Sequence, residues 1–358
     1  MSAPRLVLVT PNFENNSLGR TWVLWSLARA LGWSATVVGV KGSAVWGPLA
    51  GTAFAADCRP EPDPVAGHRT VEEAVDGADL VVAVKPLPTS FGLALEVTGR
   101  TGTPLLLDVD DPDIEVRTTW RPLRERLRHP LAPARRRELL RLGALARSTP
   151  LTVSNPVLQR MYGGVVVPHA RTPSAGAAYS ATSEPVVRFV GSVRPHKGVA
   201  VLRRAVEAER GTGSMRLEVT GAAPADAAPW ERWLGTTTVA EGAALVAGAD
   251  VIAVPSLPTA WSPAQLPAKL MDAMAAGRAI VASDTEPVAW ALGDAGVLVP
   301  AGDVDALREA LHRLREPGAR RALGDAALAR VRDRFSIDAV APDFERAALA
   351  VLGRAVLR

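Results

Sequence analysis

The sequence is poor in cysteine, in aromatic residues and in long apolar runs. Its one cysteine, Cys58, excludes a disulfide within the chain. No apolar run approaches the roughly 18 residues that a membrane-spanning helix requires, and the N-terminus leads directly into a strand pattern rather than a signal-peptide pattern. We therefore expect a cytoplasmic protein that has neither a transmembrane helix nor a signal peptide.

Metal-ligand spacing is also missing, because none of the five histidines forms a recognisable ligand pattern. With 48% hydrophobic and 22% charged residues, the 358-residue chain is typical of a globular protein, and its length suits two domains of roughly 150 to 200 residues.

The net charge of +4 and the pI near 9.7 rest on 37 arginines among 41 basic residues. Because alanine, glycine, proline and valine are also abundant, we attribute the high pI to a compositional bias.

The four lysines are the more informative cations. Each follows a predicted strand directly or by one loop: Lys41, Lys85, Lys197 and Lys269. Ligands of parallel α/β sheets bind outside the carboxyl ends of the strands. These positions therefore suit charges that bind an anion.

The first half of the chain alternates strand and helix patterns. A buried-strand run over 5–10 is followed by a loop and by a helical pattern over 18–31, with Gly19 at its start. Gly19 is a weak match to a dinucleotide fingerprint; it either allows a ligand to approach the backbone or eases packing. Further strands are predicted at 34–40, 80–84, 104–109, 151–153 and 165–167, which indicates a doubly wound parallel sheet.

An acidic cluster follows the strand at 104–109 and contains Asp108, Asp110, Asp111 and Asp113. Four carboxylates within six residues repel one another, so they need a function or good solvation. Three interpretations stay open: the metal site of a metal-dependent sugar transferase, the nucleophile pair Asp108 and Asp110 of a phosphatase or mutase, and a solvated loop with helix-capping aspartates. A role in binding substrate hydroxyls is a further option.

The segment Arg117 to Arg147 is strongly basic. It contains ten arginines against Glu125 and Glu138, with leucines at helical spacing between them. It is either a solvated helix pair or a docking face for an anionic membrane surface or an anionic acceptor. Nucleic acid is the last choice, because few aromatic residues lie among the arginines.

The second half begins after residues 171–185, a small, polar, proline-bearing stretch that indicates a linker. A strand at 186–190, a loop with Arg194 and Lys197, and a helix at 198–209 form a strand-loop-helix junction suited to an anion. The same arrangement recurs at 250–284, where Lys269 lies one turn inside a predicted helix at 266–276. A phosphate is the anion that such helix starts favour.

Three segments of this half, RFVGSVRPHKGVAVL, GADVIAVPS and LPAKLMDAMAAGRAIVASD, resemble in order and spacing the C-terminal domain of retaining nucleotide-sugar glycosyltransferases of family four. The resemblance extends more loosely to the first half. It implies the GT-B fold, in which two Rossmann-like, doubly wound parallel-sheet domains flank an interdomain cleft. It further implies that residues 1–170 bind the acceptor and that 186–335 bind the nucleotide sugar. Residues 336–358 are expected to form a C-terminal helix, with a return to the N-terminal domain as an open option.

The resemblance also assigns roles to individual residues. Arg194 and Lys197 would bind the donor diphosphate, although Ser192 stands where the family usually has the arginine. Asp272 matches the second Glu of the family's E-x7-E motif, which binds the donor ribose. Ala264 stands at the first Glu, so Gln265 and Lys269 are expected to replace its contact with the donor sugar.

The expected reaction is metal-independent hexosyl transfer with retention of configuration and no cofactor besides the nucleotide-sugar co-substrate. Cations and helix N-termini must then stabilise the leaving diphosphate. Lys85 and Asp110 are the acceptor-side candidates. The acceptor stays open between a small natural product, a glycan and a lipid-linked molecule, with peripheral contact to the inner membrane face as an option and no nucleic-acid partner expected.

Overall fold

The computed structural model describes residues 3–120, 122–128, 130–174, 179, 184–211 and 215–356. The chain divides into two compact units. Unit 1 runs from the N-terminus to Ala170 and includes the C-terminal residues from Ile337 onward, whereas unit 2 runs from Arg171 to Ser336. Each unit is built on one parallel sheet.

Unit 1 contains a seven-stranded sheet with the strand order β3-β2-β1-β4-β5-β6-β7, and all its neighbouring pairs are parallel. The strands are β1 (Arg5–Val9), β2 (Ser34–Val38), β3 (Cys58–Arg59), β4 (Leu80–Val84), β5 (Leu105–Val109), β6 (Leu151–Val153) and β7 (Val165–Val166). Strand β4 is buried along its whole length, as its uninterrupted apolar sequence predicts for a central parallel strand.

The helices of unit 1 are α1 (Leu18–Ala30), α2 (Ala53–Ala56), α3 (Pro64–Val75), α4 (Leu93–Thr101), α5 (Asp113–Glu115), α6 (Leu123–Arg128), α7 (Pro133–Ala146), α8 (Pro156–Tyr162) and the C-terminal helix Ile337–Val356. Polar caps define several starts. Asp63 accepts hydrogen bonds from two backbone N–H groups at the start of α3, and Asn155 does the same at α8. The C-terminal helix packs against α1, and its Phe344 ring lies 6.1 Å from that of Trp33.

Unit 2 contains a six-stranded parallel sheet with the order β10-β9-β8-β11-β12-β13. Its strands are β8 (Val186–Phe189), β9 (Arg216–Val219), β10 (Glu231–Trp233), β11 (Val251–Val254), β12 (Ala279–Ser283) and β13 (Val297–Val299). Its helices are α9 (Val199–Arg210), α10 (Val239–Ala247), α11 (Ala268–Ala275), α12 (Glu286–Leu292), α13 (Val304–Arg313) and α14 (Pro317–Arg334).

The core of unit 2 lies on both faces of its sheet, because successive strand residues point to opposite faces. Ile252 and Val254 belong to one buried cluster with side chains of α11, α12 and α14. Val251 and Ala253 belong to a second cluster with α9 and α13. Strand β11 is therefore fixed at the centre of the sheet, and the loop that follows it opens at the carboxyl edge.

Part of the predicted linker packs on unit 2. The Ser174 N–H donates to the Ala275 carbonyl at 2.9 Å, and the Tyr179 hydroxyl donates to the Gly277 carbonyl. Residues 175–178 and 180–183 of the linker lie outside the described residues. Among the helices that the structure describes, none combines the length and hydropathy needed to cross a membrane.

Candidate functional site

The loops that follow β8 and β11 lie side by side at the carboxyl edge of the second sheet. The Leu257 N–H donates to the His196 carbonyl at 2.9 Å. Gly198 has a φ of +71°, and a Cβ atom there would lie 1.7 Å from the Pro255 carbonyl oxygen. Only glycine fits this position, because any side chain would push the two loops apart. The sequence K-G therefore places Lys197 against the second loop.

Three cations converge on this edge. Burial lowers the pKa of His196, and the charges of Lys197, Arg194 and Lys269 lower it further. The Arg194 side chain is exposed, and it forms no ion pair with any residue that the structure describes. The sequence predicted this cluster from two separate loops, and the structure brings its members together around one histidine.

Lys269 is partly buried in the first turn of α11. Its Nζ lies 3.6 Å from the centroid of the Phe189 ring. Burial holds the pKa of Lys269 well below its usual value, Lys197 lowers it further, and Asp272 acts in the opposite direction. Within the described residues no carboxylate lies within ion-pair distance of this ammonium group. A bound anion would stabilise its charge.

The backbone of Gly191 lies close to this ammonium group. This residue has a φ of +133°, and a Cβ atom there would lie 3.6 Å from Lys269 Nζ. Thr220 fixes the loop, because its hydroxyl exchanges two 2.8 Å hydrogen bonds with the backbone N–H and carbonyl of Gly191. Helix α11 starts nearby at Ala268 without a side-chain cap. Its dipole adds to the positive potential of the three cations.

The remaining donor-side candidates lie on the β11–α11 loop and on α11. Gln265 is partly buried, and its backbone N–H donates to the Trp261 carbonyl at 3.0 Å. The Asp272 carboxylate accepts a hydrogen bond from Arg171 Nε and stays 44% exposed. From the sequence, the only ion-pair partner that we considered for Asp272 was Lys269, on the surface of the same helix. The pairing of Asp272 with Arg171 was not predicted, because the two residues lie 101 positions apart in the sequence.

Lys85 lies at the end of β4 and has a φ of +69°, which is rare for a residue with a side chain. Its Nζ lies 2.6 Å from Asp110, 2.8 Å from Asp111 and 3.0 Å from Asp113. Although burial opposes its charge, these three carboxylates hold the pKa of Lys85 well above its usual value. Lys85 therefore neutralises an acidic cluster, and our expectation of an anion-binding lysine is wrong at this position.

Asp108 has a different partner. Arg20 Nε and Nη2 donate to its two carboxylate oxygens at 2.8 and 2.7 Å, and the Thr152 hydroxyl donates at 2.7 Å. Asp108 is fully buried. A carboxylate with both oxygens engaged and no solvent access cannot attack a phosphoryl group, so the phosphatase interpretation is wrong. The solvated-loop interpretation is wrong as well, because Asp110 and Asp113 are also buried.

The titration of Asp110 is perturbed by its surroundings. Burial raises its pKa to about 7; Asp111 and Asp108 also raise it, while Lys85 and Arg20 oppose the shift. Oxygen atoms of Asp110, Asp111 and Asp113 lie within 4.8 Å of one another, as in a cation site. The Lys85 ammonium group contacts all three carboxylates and supplies the positive charge at their centre.

Gly19 lies at the start of α1, and a Cβ atom there would have no other atom within 4 Å. No described side chain therefore requires glycine for packing. The open space leaves room for a ligand to approach the backbone.

The chain resembles known proteins in part of its sequence and in its fold. Residues 184–316 match the family model of glycosyl transferases group 1. Among curated proteins none matches the sequence of this chain.

Three solved structures with the same fold are 13 to 15% identical in sequence to this chain. Sucrose-phosphate synthase from Thermosynechococcus elongatus is similar over 98% of this chain and 100% of that one, with a TM-score of 0.68 and 15% identity. The Alr3699/HepE protein of Anabaena, solved with UDP-glucose, is similar over 97% of this chain and 100% of that one, with a TM-score of 0.71 and 14% identity. The α,α-trehalose 6-phosphate synthase from Burkholderia multivorans is similar over 100% of this chain and 98% of that one, with a TM-score of 0.63 and 13% identity.

The prediction of two doubly wound parallel sheets is confirmed, and so is the family resemblance that the motifs of the second half indicated. Residues 184–316 therefore match the family of glycosyl transferases group 1, and the chain has the GT-B fold of the solved structures that it resembles.

Proposed function

We propose that this enzyme transfers a hexose from a nucleoside diphosphate sugar to an acceptor with retention of configuration. The observation that carries the proposal is the convergence of Arg194, Lys197 and Lys269 on one carboxyl edge of the second sheet. Breaking the bond between sugar and diphosphate leaves negative charge on the diphosphate. Fixed cations at that position lower the barrier without reorganising during the reaction.

Each residue has a role in this proposal. Arg194 and Lys197 bind the diphosphate, and Lys269 contacts it from the first turn of α11. Asp272 accepts hydrogen bonds from the donor ribose, for which its exposed carboxylate oxygen is available. Gln265 contacts the sugar in place of the first glutamate of the E-x7-E motif, where this chain has Ala264.

For the donor we propose a uridine nucleotide, because the Anabaena protein was solved with UDP-glucose. The sugar itself need not be glucose, since Ala264 removes the carboxylate that usually holds it. The three cations supply the charge that a metal ion would otherwise provide, so we propose metal-independent transfer. Attack occurs on the face from which the leaving group departs, and the departing phosphate takes the acceptor proton.

The acceptor side is assigned to residues 1–170, where Lys85 and Asp110 lie at the ends of β4 and β5. Burial and its acidic neighbours give Asp110 a pKa of about 7, which suits a group that binds a hydroxyl near neutral pH. A small natural product, a glycan and a lipid-linked molecule all carry such hydroxyls. The cytoplasmic location stays a prediction.

The test is calorimetric titration of the purified chain with UDP, GDP, UDP-glucose and inorganic phosphate, repeated with excess chelator. We expect a nucleoside diphosphate to bind far more tightly than phosphate, with an affinity that chelator leaves unchanged. Lys197→Ala is expected to lose affinity by roughly tenfold or more, the cost of a hydrogen bond to a charged group. Arg321→Ala, an exposed arginine of α14, is the matched control.

Two results contradict the proposal. Equal affinity of Lys197→Ala and the unchanged protein for UDP would remove the diphosphate assignment. An absolute requirement of binding for Mg²⁺ or Mn²⁺ would instead assign the charge neutralisation to a metal ion.

A further inference from the structure

The charge of the chain is concentrated in one segment. Residues 117–147 contain ten arginines, two glutamates, and neither lysine nor aspartate, for a net charge of +8. The whole chain carries +4, so the other residues together carry −4. This asymmetry shows that the basic character is a local property of α6, α7 and their flanks.

Apolar exposure is concentrated in the same segment. Leu123 and Leu127 of α6 are 66% and 73% exposed, and Leu140 of α7 is 41% exposed. These are three of the six large hydrophobic side chains that the structure describes as exposed. Leu123 and Leu127 are four residues apart, so they lie on one face of α6. Helix α6 therefore presents an apolar stripe that no described residue covers.

The arginines of this segment fall into two groups. Arg117 pairs with Asp113, and Arg147 pairs with Glu115 and lies over the Tyr162 ring, so both hold the local fold together. The side chains of the second group form no ion pair or hydrogen bond with another described residue. This second group comprises Arg124, Arg126, Arg128, Arg135, Arg136, Arg137 and Arg141.

Helix α7 orients part of that group outward. Its Leu139, Leu142, Gly143 and Ala146 are buried against unit 1. The opposite side exposes Arg136, Arg137, Leu140 and Arg141. The burial of one stripe thus fixes the other as a basic, leucine-bearing face toward solvent.

We propose that α6 and the exposed face of α7 dock this enzyme on the surface of a lipid bilayer that contains anionic headgroups. Leucines enter the boundary between headgroups and acyl chains, and arginines contact the phosphates. Trp120, partly buried just before α6, has the amphipathic ring that is enriched at this depth of a membrane. The inference goes beyond the proposed transfer reaction and holds for any acceptor.

Nucleic acid and a soluble polyanion fit the surface less well. Both ligands would bind the arginines, but neither provides an apolar environment in which Leu123 and Leu127 could be buried. Single strands are bound by aromatic stacking, and the sequence between Arg121 and Arg147 contains no phenylalanine, tyrosine or tryptophan. The combination of unpaired arginines with exposed leucines is therefore complementary to an anionic bilayer.

The test is flotation of the full chain with vesicles of phosphatidylcholine, alone or mixed with phosphatidylglycerol. We expect binding to the mixed vesicles, weak binding to the neutral ones, and release as salt rises. Arg124→Ser with Arg128→Ser should weaken binding about twenty-five-fold, from roughly fivefold for each arginine. Leu123→Ser with Leu127→Ser should weaken it roughly tenfold.

Matched controls come from exposed residues elsewhere in the chain. Arg321→Ser with Arg332→Ser removes two exposed charges from α14, and Val65→Ser with Leu349→Ser removes two exposed apolar side chains. Both control variants should bind like the unchanged protein, and all variants should keep its unfolding temperature, because none of the replaced side chains is buried.

Several outcomes overturn the proposal. These are absence of binding to mixed vesicles, equal binding to neutral vesicles, and equal losses in the control variants. Duplex DNA that binds more tightly than the vesicles and displaces them would identify the surface as a nucleic-acid site. A loss in the arginine variant with none in the leucine variant would identify a site for soluble polyanions.

Discussion

Replacing Lys269 by Met tests the candidate donor site most directly. The side chain lies partly buried over the Phe189 ring, near Lys197, with no carboxylate of the described residues in ion-pair distance. Two opposite unit charges about 4 Å apart attract by about 4 kcal/mol at an effective dielectric constant of 20. Desolvation offsets part of this, so we expect a net loss of about 1.5 to 3 kcal/mol in nucleoside diphosphate binding.

The uptake of protons by Lys269 when nucleotide binds provides a second measurement. Burial and Lys197 lower the pKa of Lys269 in the folded protein, whereas the unfolded chain keeps the usual value. Between those two values the unfolded chain binds a proton that the folded protein lacks, so this group makes stability rise with pH in that window. A bound diphosphate raises the pKa again. Above the pKa of the free protein, nucleotide binding should therefore take up protons at Lys269.

The assay is calorimetric titration with UDP in two buffers that differ in ionisation enthalpy. The unchanged protein should show an apparent enthalpy that depends on the buffer, and Lys269→Met should show a weaker affinity and a smaller dependence. Its unfolding temperature without ligand should be unchanged or higher, because an unpaired, partly buried charge is gone. Lys41→Met, an exposed lysine of unit 1, is the control. Unchanged affinity and proton uptake in Lys269→Met would refute the reasoning.

Three further predictions concern other positions. Because the pKa of Asp110 is raised to about 7 by burial, stability should fall as pH rises from about 4 to about 7, and Asp110→Asn should flatten that part of the curve in denaturant titrations. Gly198→Ala should cost at least about 1 to 2 kcal/mol, since its φ is +71° and its Cβ would meet the Pro255 carbonyl. Gly19→Ala is its control, with unfolding measured by heat and no loss expected. Asp272→Asn should weaken UDP binding by roughly 1 to 3 kcal/mol; calorimetry that finds only lower stability would leave Asp272 as the partner of Arg171.

Local patterns were sufficient for much of the fold. Strands β1, β4, β5 and β8 lie within two residues of the predicted runs, because continuous apolar segments in a parallel sheet must be buried on both faces. Short strands such as β3 and β10 were not predicted. They contain two and three residues, and Cys58–Arg59 and Glu231–Trp233 show no apolar run. Their pairing depends on the neighbouring strand rather than on their own sequence.

The sequence by itself determined the alternation of strands and helices, the K-G step at Lys197, and the motifs of the second half that resemble group 1 glycosyltransferases. These features are local, since each is read within one strand-loop-helix unit. Only the tertiary structure decided which charges meet. Arg20 reaches Asp108 across 88 residues and Arg171 reaches Asp272 across 101, while Lys85 contacts carboxylates up to 28 residues away. A buried charge requires its partner at hydrogen-bond distance, and chain topology, which no local pattern encodes, provides that partner.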